Sequence, residues 1–229
     1  MHFSIIIPVL NEAKSLPACL EALQGLRHQA EIMVVDGGSS DDTLTIATGL
    51  ADRVVRTHRG RALQMNAGAR QAKGDVFLFL HADTFLPDHA LTLIQQQLMQ
   101  GGQWGRFDIC LCGRPVMLKV IAQLMNWRSR LTGIATGDQA IFVTRQAFFS
   151  VGGYPDIALM EDIALSKLLK NIGPPIYLSA KVSSAGRRWE TFGVFRTILL
   201  MWSLRLGYFF GADPSELAKL YHRGRFWKP

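Results

Sequence analysis

The chain has 229 residues, 48% hydrophobic and 19% charged, a composition that excludes a disordered polymer and suits one globular domain with a sizeable core. Its net charge of +7 favours a polyanionic partner, but no helix-turn-helix, zinc-finger or aromatic RNA-platform pattern accompanies the charge, so nucleic acid is not expected. The three cysteines, Cys19, Cys110 and Cys112, are odd in number and lack framework spacing, which argues against a secreted disulfide scaffold; Cys110 and Cys112 would share one strand face, and with no second pair to complete a zinc site core packing is the expectation for them.

Residues 3–9 form a short β-branched apolar run and read as a buried strand. Leu16, Leu20, Leu23 and Leu26 then recur at helical spacing over residues 13–26. Residues 32–35 read as a second buried strand closing on Asp36-Gly37-Gly38, with Ser39 and Ser40 as N-caps for a helix from about Asp41. Val54-Val55 is a short third strand, residues 61–72 a helix ended by Lys73-Gly74, and residues 76–80 a fourth buried strand that ends at His81-Ala82-Asp83. Pro87 and Asp88 begin a further helix to about Met99, so strand and helix alternate four times in the first 99 residues. That alternation predicts a mostly parallel sheet covered by helices on both faces. The second half is less regular. Strands are expected at 105–112, 139–143, 176–178 and 181–182, and helices at 115–130, 161–170, 192–210 and 214–221.

Residues 3–10 are too short an apolar run for a signal peptide and lack a basic leader and a cleavage site, so a cytoplasmic protein is expected. The apolar stretch 192–212 is interrupted by Arg196 and Arg205, which argues against a spanning helix. A helix lying on an anionic membrane, at the inner face of the cell membrane, stays open, with Arg223, Arg225 and Lys228 beyond it.

Open parallel sheets bind ligands beyond the carboxyl ends of their strands. Glu12 and Asp36 lie at such ends, where a carboxylate can accept from a nucleobase or ribose, or serve its own turn. Asp83 follows a buried run, where an isolated carboxylate is costly unless something binds it. A diphosphate-chelated Mg2+ or Mn2+ would do so, with His81 as a second ligand or a structural histidine. Glu161-Asp162 opens a helix, a position the dipole alone explains. Arg187 and Arg188 can clamp phosphate oxygens or remain solvated surface groups. Residues 60–68 place Arg61 and glycines at a helix start, but neither a P-loop nor a Gly-x-Gly-x-x-Gly ending is present, and no Gly-x-Ser-x-Gly elbow occurs.

In order along the chain, Ile5-Ile6-Ile7-Pro8-Val9-Leu10-Asn11-Glu12, then Val34 to Thr43, Asn66-Ala67-Gly68, Lys73-Gly74-Asp75, Phe79 to Asp83, Gly137-Asp138-Gln139 and Glu161-Asp162 resemble the family 2 glycosyltransferases of the GT-A fold. The resemblance implies an α/β GT-A domain over residues 1–190 and a C-terminal helical extension over 191–229, packed on the domain or on a membrane. It implies an inverting transfer from a nucleotide-diphosphate sugar to an acceptor hydroxyl of unknown identity. Pro8, Glu12 and Asp36 would hold the nucleoside, Arg61 the ribose or diphosphate, and Asp83 the Mg2+ or Mn2+. Arg187 or Arg188 would help the leaving diphosphate, Asp162 would be the general base, and Glu161 would orient the base or the acceptor. His81 stands where the family's Asp-x-Asp motif has its first acid. The short chain, His81-Ala82-Asp83, Arg187-Arg188-Trp189 and the tail look like a small bacterial subgroup named for arsenosugar biosynthesis. A polyprenyl-phosphate glycosyltransferase at the membrane surface, a nucleotidyltransferase and a non-catalytic nucleotide-sugar binding module are the alternatives.

Overall fold

The computed structural model describes residues 1–223, so Arg225 and Lys228 lie outside the described residues. The first half forms β1 (Phe3–Val9), α1 (Leu16–Leu23), β2 (Ala30–Asp36), α2 (Thr43–Leu50), β3 (Arg53–Arg56), α3 (Arg61–Gln71), β4 (Val76–Phe79), β5 (Thr84–Phe85) and α4 (Ala90–Met99). The second half forms β6 (Trp104–Cys112), α5 (Met117–Thr132), β7 (Phe142–Thr144), α6 (Arg145–Ser150), α7 (Glu161–Lys170), β8 (Ile176–Ala185), α8 (Arg187–Phe192), α9 (Val194–Phe209) and α10 (Pro214–Arg223). One eight-stranded sheet runs in the order β3-β2-β1-β4-β7-β6-β8-β5.

The apolar runs are continuous because both faces of the sheet are covered. Ile5, Ile7, Ile32 and Val34 face one core with α1, α4 and α5, whereas Ile6, Met33 and Val35 face the other with α3, α6 and α7. β1 pairs in parallel with β2 and β4, and β2 in parallel with β3. Pro8 is tolerated in this central strand because pairing with β4 stops at Ile6, so the missing N–H faces a side where the neighbouring strand has ended. At Gly68 α3 comes so close to the sheet that a Cβ would lie 2.6 Å from Ile6 and 2.9 Å from Val35.

The second half departs from expectation in instructive ways. β7 is antiparallel to both β4 and β6, so the sheet is mixed. The expected strand 139–143 is a 3-10 turn, Gly137–Gln139, followed by β7, because Ala140 takes positive φ and Gln139 turns inward to close a capping box with Thr136. The two short strands expected at 176–178 and 181–182 are one strand, β8, joined across an irregularity opposite Phe107/Asp108. The single helix expected at 192–210 is broken at Gly193, whose φ of 82° and ψ of 146° leave the helical region. Cys110 and Cys112 are not core residues: Cys112 is exposed and Cys110 half-buried, near the end of β6.

α9 and α10 close over the start of α7. Leu200, Leu204 and Leu217 bury against Met160, with Leu159, Ile163, Tyr208 and Tyr221 around them. Each such leucine contributes ~1.5–3 kcal/mol of burial, enough to hold the tail on the domain. Among the described residues no helix is long and apolar enough to cross a membrane.

Candidate active site

The carboxyl ends of β1, β2 and β4 open on one edge of the sheet, and their loops are stitched together. The Asn11 N–H donates to Ser39 Oγ and the Ser40 N–H to Asn11 Oδ1, at 2.9 and 2.8 Å, while the Glu12 N–H donates to Thr43 Oγ1 at 2.8 Å. Behind them the buried Gln64 donates from Nε2 to the carbonyls of Val9 and Val35, both at 2.8 Å, and so pins the ends of β1 and β2 to α3. Sequence reasoning missed Gln64, since a lone glutamine in a helix carries no signal of the two carbonyls it meets.

Asp36 is buried at the end of β2, and its carboxylate is engaged by its own loop. The N–H of Gly38 donates to Oδ2 at 3.0 Å, and both the N–H and the hydroxyl of Ser39 reach the same group. A carboxylate has about four acceptor positions, so capacity remains for one further donor. Pro8 sits one residue before the end of β1, half-buried.

Glu12, Asp83 and Arg187 are brought together from positions far apart in the chain. Arg187 Nη2 lies 2.8 Å from Asp83 Oδ2 and 3.2 Å from Glu12 Oε2, and Glu12 also accepts from Ser15 at 2.6 Å. Burial opposes the Arg187 cation, but the bond to Asp83 and the charges of Glu12 and Asp83 outweigh it and hold its pKa above the ordinary arginine value. Arg188 points elsewhere: its guanidinium lies 3.7 Å from the Tyr221 ring centroid and donates to the Tyr221 carbonyl at 2.6 Å, which ties α8 to α10.

A second group gathers at the start of α7 and the 137–139 turn. Asp162 accepts from the N–H of Gly137 at 2.9 Å and of Ile163 at 2.7 Å, which fixes both its oxygens at the start of α7. Met160, just before the helix, has φ of 69°, a left-handed conformation uncommon outside glycine that turns Glu161 and Asp162 toward the 137–139 turn. Glu161 is buried, and burial followed by the charge of Asp162 pushes its carboxyl up to about 7. Arg61, exposed at the first position of α3, has the charges of Tyr221, Glu161, Asp138 and Asp162 near it, and these raise its pKa.

His81 Nδ1 lies 3.0 Å from Asp138 Oδ1, and its Nε2 faces Gly137, where an added Cβ would come within 2.6 Å. Burial acts to raise the Asp138 pKa, but the hydrogen bond and charge of His81, with Arg61 and Arg205, hold it below the usual carboxylate range. His81 therefore links the end of β4 to the 137–139 turn. Among the described residues no three His, Cys, Asp or Glu side chains cluster as a cage for a metal. Glu12 and Asp83, on either side of Arg187, are the two carboxylates at that end of the cleft. Such a set suits an Mg2+-like ion that keeps waters and takes substrate phosphate oxygens, and not an ion held by protein alone.

The comparisons fit this layout. Residues 4–151 match the family model described as Glycosyl transferase family 2. The chain belongs to that family. A PGL/p-HBAD biosynthesis glycosyltransferase of Mycobacterium tuberculosis is 44% identical over 92 residues, 37% of this chain and 36% of that protein. An undecaprenyl-phosphate 4-deoxy-4-formamido-L-arabinose transferase of Pseudomonas savastanoi is 36% identical over 110 residues, 43% of this chain and 33% of that protein. The matched segments thus span about a third of these curated relatives. The structure of S. aureus TarS 1-349 in complex with UDP-GlcNAc superposes with a TM-score of 0.65 at 18% identity, covering 88% of this chain and 66% of that one. The Pyrobaculum calidifontis mannosyltransferase PcManGT, in complex with GDP-Man and Mn2+, gives 0.65 at 20% identity over 96% of this chain and 68% of that one. The fold is GT-A, an α/β architecture with a mixed sheet.

Proposed function

We propose that the chain is an inverting glycosyltransferase that moves a sugar from a nucleotide-diphosphate sugar to an acceptor oxygen bound at Asp162. The observation that carries this is a pair of separate carboxylate groups: Glu12 and Asp83 joined by Arg187 in one, and Asp162 held by two backbone N–H groups in the other. Neighbours of the same fold that hold UDP-GlcNAc or GDP-Man support a nucleotide-sugar donor.

The donor's nucleoside lies over Pro8, Glu12 and Asp36, with Asp36 lending its remaining acceptor position to the base. Arg187 already bridges two carboxylates, so an arriving diphosphate offers it a stronger, bidentate partner. A divalent ion bound at Asp83, when present, supplies charge neutralisation to the leaving diphosphate. Asp162 accepts the proton of the attacking hydroxyl as that oxygen bonds to the anomeric carbon and the carbon–phosphate-oxygen bond breaks with inversion. Glu161, buried behind it, keeps Arg61 in place. Asp138 and His81 brace the turn whose Gly137 N–H holds Asp162.

A second reading concerns where the acceptor resides. Along α5, Val120, Leu124, Trp127 and Leu131 are exposed, and along α9 so are Phe195, Leu199, Trp202, Leu206 and Phe209, with Trp127 60% and Trp202 71% exposed. Neither helix carries an acidic residue, and Lys119 and Arg196 lie exposed among these stripes. Apolar aromatic faces with basic flanks suit an anionic lipid surface, and with it a lipid-borne acceptor such as a polyprenyl phosphate. The similarity to a transferase named for undecaprenyl phosphate supports that placement.

A thermal-shift screen of UDP, GDP, ADP and CMP sugars, with and without Mn2+, tests the donor. One nucleotide class should raise the melting temperature, and more so with Mn2+. No response to any nucleotide at millimolar concentration would remove the proposal.

A further inference from the structure

Two arginines near Asp162 have no role in the donor site. Arg128, on α5, has Nε and Nη2 buried without a hydrogen-bond partner, and Arg205, on α9, has Nε in the same condition. Both are near the Asp162 carboxylate, and Arg205 is also near Asp138. Burial first, and then the neighbouring Arg205 cation, lower the Arg128 pKa to about 10, so it stays charged at neutral pH while lacking a bonded anion. Other arginines of the region differ: Arg187 is engaged by Glu12 and Asp83, Arg106 by Asp108, Ser129 and the Asn126 carbonyl, and Arg188 by Tyr221 through Nη2 although its Nε is buried without a partner, while Arg61 is exposed. Buried guanidinium N–H groups that lack acceptors are costly to maintain unless a ligand completes them.

The location specifies the ligand further. Arg128 follows the exposed Trp127 on α5, and Arg205 sits between the exposed Trp202 and Leu206 on α9. Each helix thus turns an apolar stripe outward and carries a cation close enough to the proposed base to feel its charge. Leu200 and Leu204, on the inner side of α9, pack on Met160 next to Glu161, so this part of α9 walls the Asp162 side of the cleft. We infer that Arg128 and Arg205 form an acceptor subsite for the phosphate of a lipid-borne monophosphate, whose hydrocarbon chain lies along the outer faces of α5 and α9. The inference rests on the glycosyltransferase proposal for the orientation of the cleft. The subsite lies on the Asp162 side and is separate from the donor end at Asp83.

The test uses the full chain with phosphatidylcholine vesicles doped with hexadecyl phosphate, compared with hexadecanol-doped and phosphatidylglycerol-doped vesicles, in saturating nucleoside diphosphate and Mn2+. Flotation should favour the hexadecyl phosphate vesicles, and the Arg128→Gln/Arg205→Gln variant should lose that preference by at least ~10-fold, the scale of a charged hydrogen-bonded contact. The variant should bind the nucleoside diphosphate as the parent does. It should melt no lower than the parent, because it removes two partly buried cations whose buried N–H groups lack partners, whereas a structural role for the pair predicts a lower melting temperature. Arg128→Lys, which keeps the charge and loses the fork, should weaken binding in part. Undiminished preference in the double variant overturns the subsite. Equal binding to phosphatidylglycerol vesicles reduces it to general surface charge and overturns it too. Full competition by soluble glucose 1-phosphate, with no preference for vesicles, overturns the lipid source. Failure of the parent to bind any nucleoside diphosphate counts against the glycosyltransferase proposal instead, since vesicle binding is scored separately.

Discussion

The two carboxylate groups of the candidate site are held by different means. On the donor side Asp36 is satisfied within three residues by its own loop, and Glu12 and Asp83 share one exposed arginine. In the other group, the acceptor side of the proposed reading, burial and the neighbouring charge of Asp162 raise the Glu161 carboxyl, whereas His81 and nearby arginines hold Asp138 low. In the proposed reading the donor side therefore stays solvated until a diphosphate arrives, while the acceptor side holds a buried carboxyl whose pKa is already raised.

The sharpest way to break the contrast is Asp83→Ala. If the donor side works through this carboxylate, transfer should fall at least as far as the ~10²–10³-fold typical of losing one electrostatic stabiliser. The Mn2+ dependence of nucleotide binding should disappear with it. Calorimetry showing the same Mn2+ requirement in the variant would dissociate Asp83 from the metal.

Asp162→Asn probes the opposite side. It preserves shape and one of the two acceptor oxygens that meet Gly137 and Ile163, so donor binding should persist while turnover drops by ~10²-fold or more. A purely structural Asp162 predicts a stability loss of ~0.5–2 kcal/mol with near-normal turnover of the folded fraction. Donor hydrolysis can be followed before the acceptor is known, and melting temperature on the same preparation separates the accounts.

Asp36→Ala should weaken nucleoside binding by ~1.5–3 kcal/mol, the cost of one hydrogen bond to a charged group. Because Asp36 also orders Gly38 and Ser39, part of that loss will come from a looser loop. Titration with the free nucleoside measures it, and an unchanged affinity would confine Asp36 to shaping the turn.

The smallest effect expected is on pH dependence. The Glu161 carboxyl, ordinarily near 4.5, is raised to about 7 in the folded chain, so the folded state retains a proton that the unfolded state has lost between those values. Its contribution to stability is therefore greatest below the lower value and declines as pH rises through the upper one. Melting curves of ligand-free protein from about pH 5 to about pH 8 should show this decline, and Glu161→Gln should flatten it. An identical slope in the variant would place the titration elsewhere.

The donor side was legible in the sequence because its chemistry is local. Apolar strands that end in Asn11-Glu12, Asp36-Gly37-Gly38 and His81-Ala82-Asp83 announce a parallel sheet and a ligand edge together, since strand ends converge by topology. The Glu161-Asp162 pair was visible too, as an acidic start to a helix. What stayed hidden needed contacts across long sequence separations. Arg187 bonds Glu12, 175 residues away, and Gln64 reaches a carbonyl 55 residues away. Arg188 reads in sequence as a twin of Arg187, yet only packing decides that one faces Asp83 and the other Tyr221. Arg205 looked like an interruption of an apolar helix and Arg128 carried no signal, because periodicity shows which face a residue occupies but not what lies opposite it. The sequence by itself determined the alternation of strands and helices, since period and turn chemistry are written residue by residue. The antiparallel β7, the break at Gly193 and the crowding of charge beneath α9 were decided by tertiary structure alone, because burial and charge proximity exist only once distant segments meet.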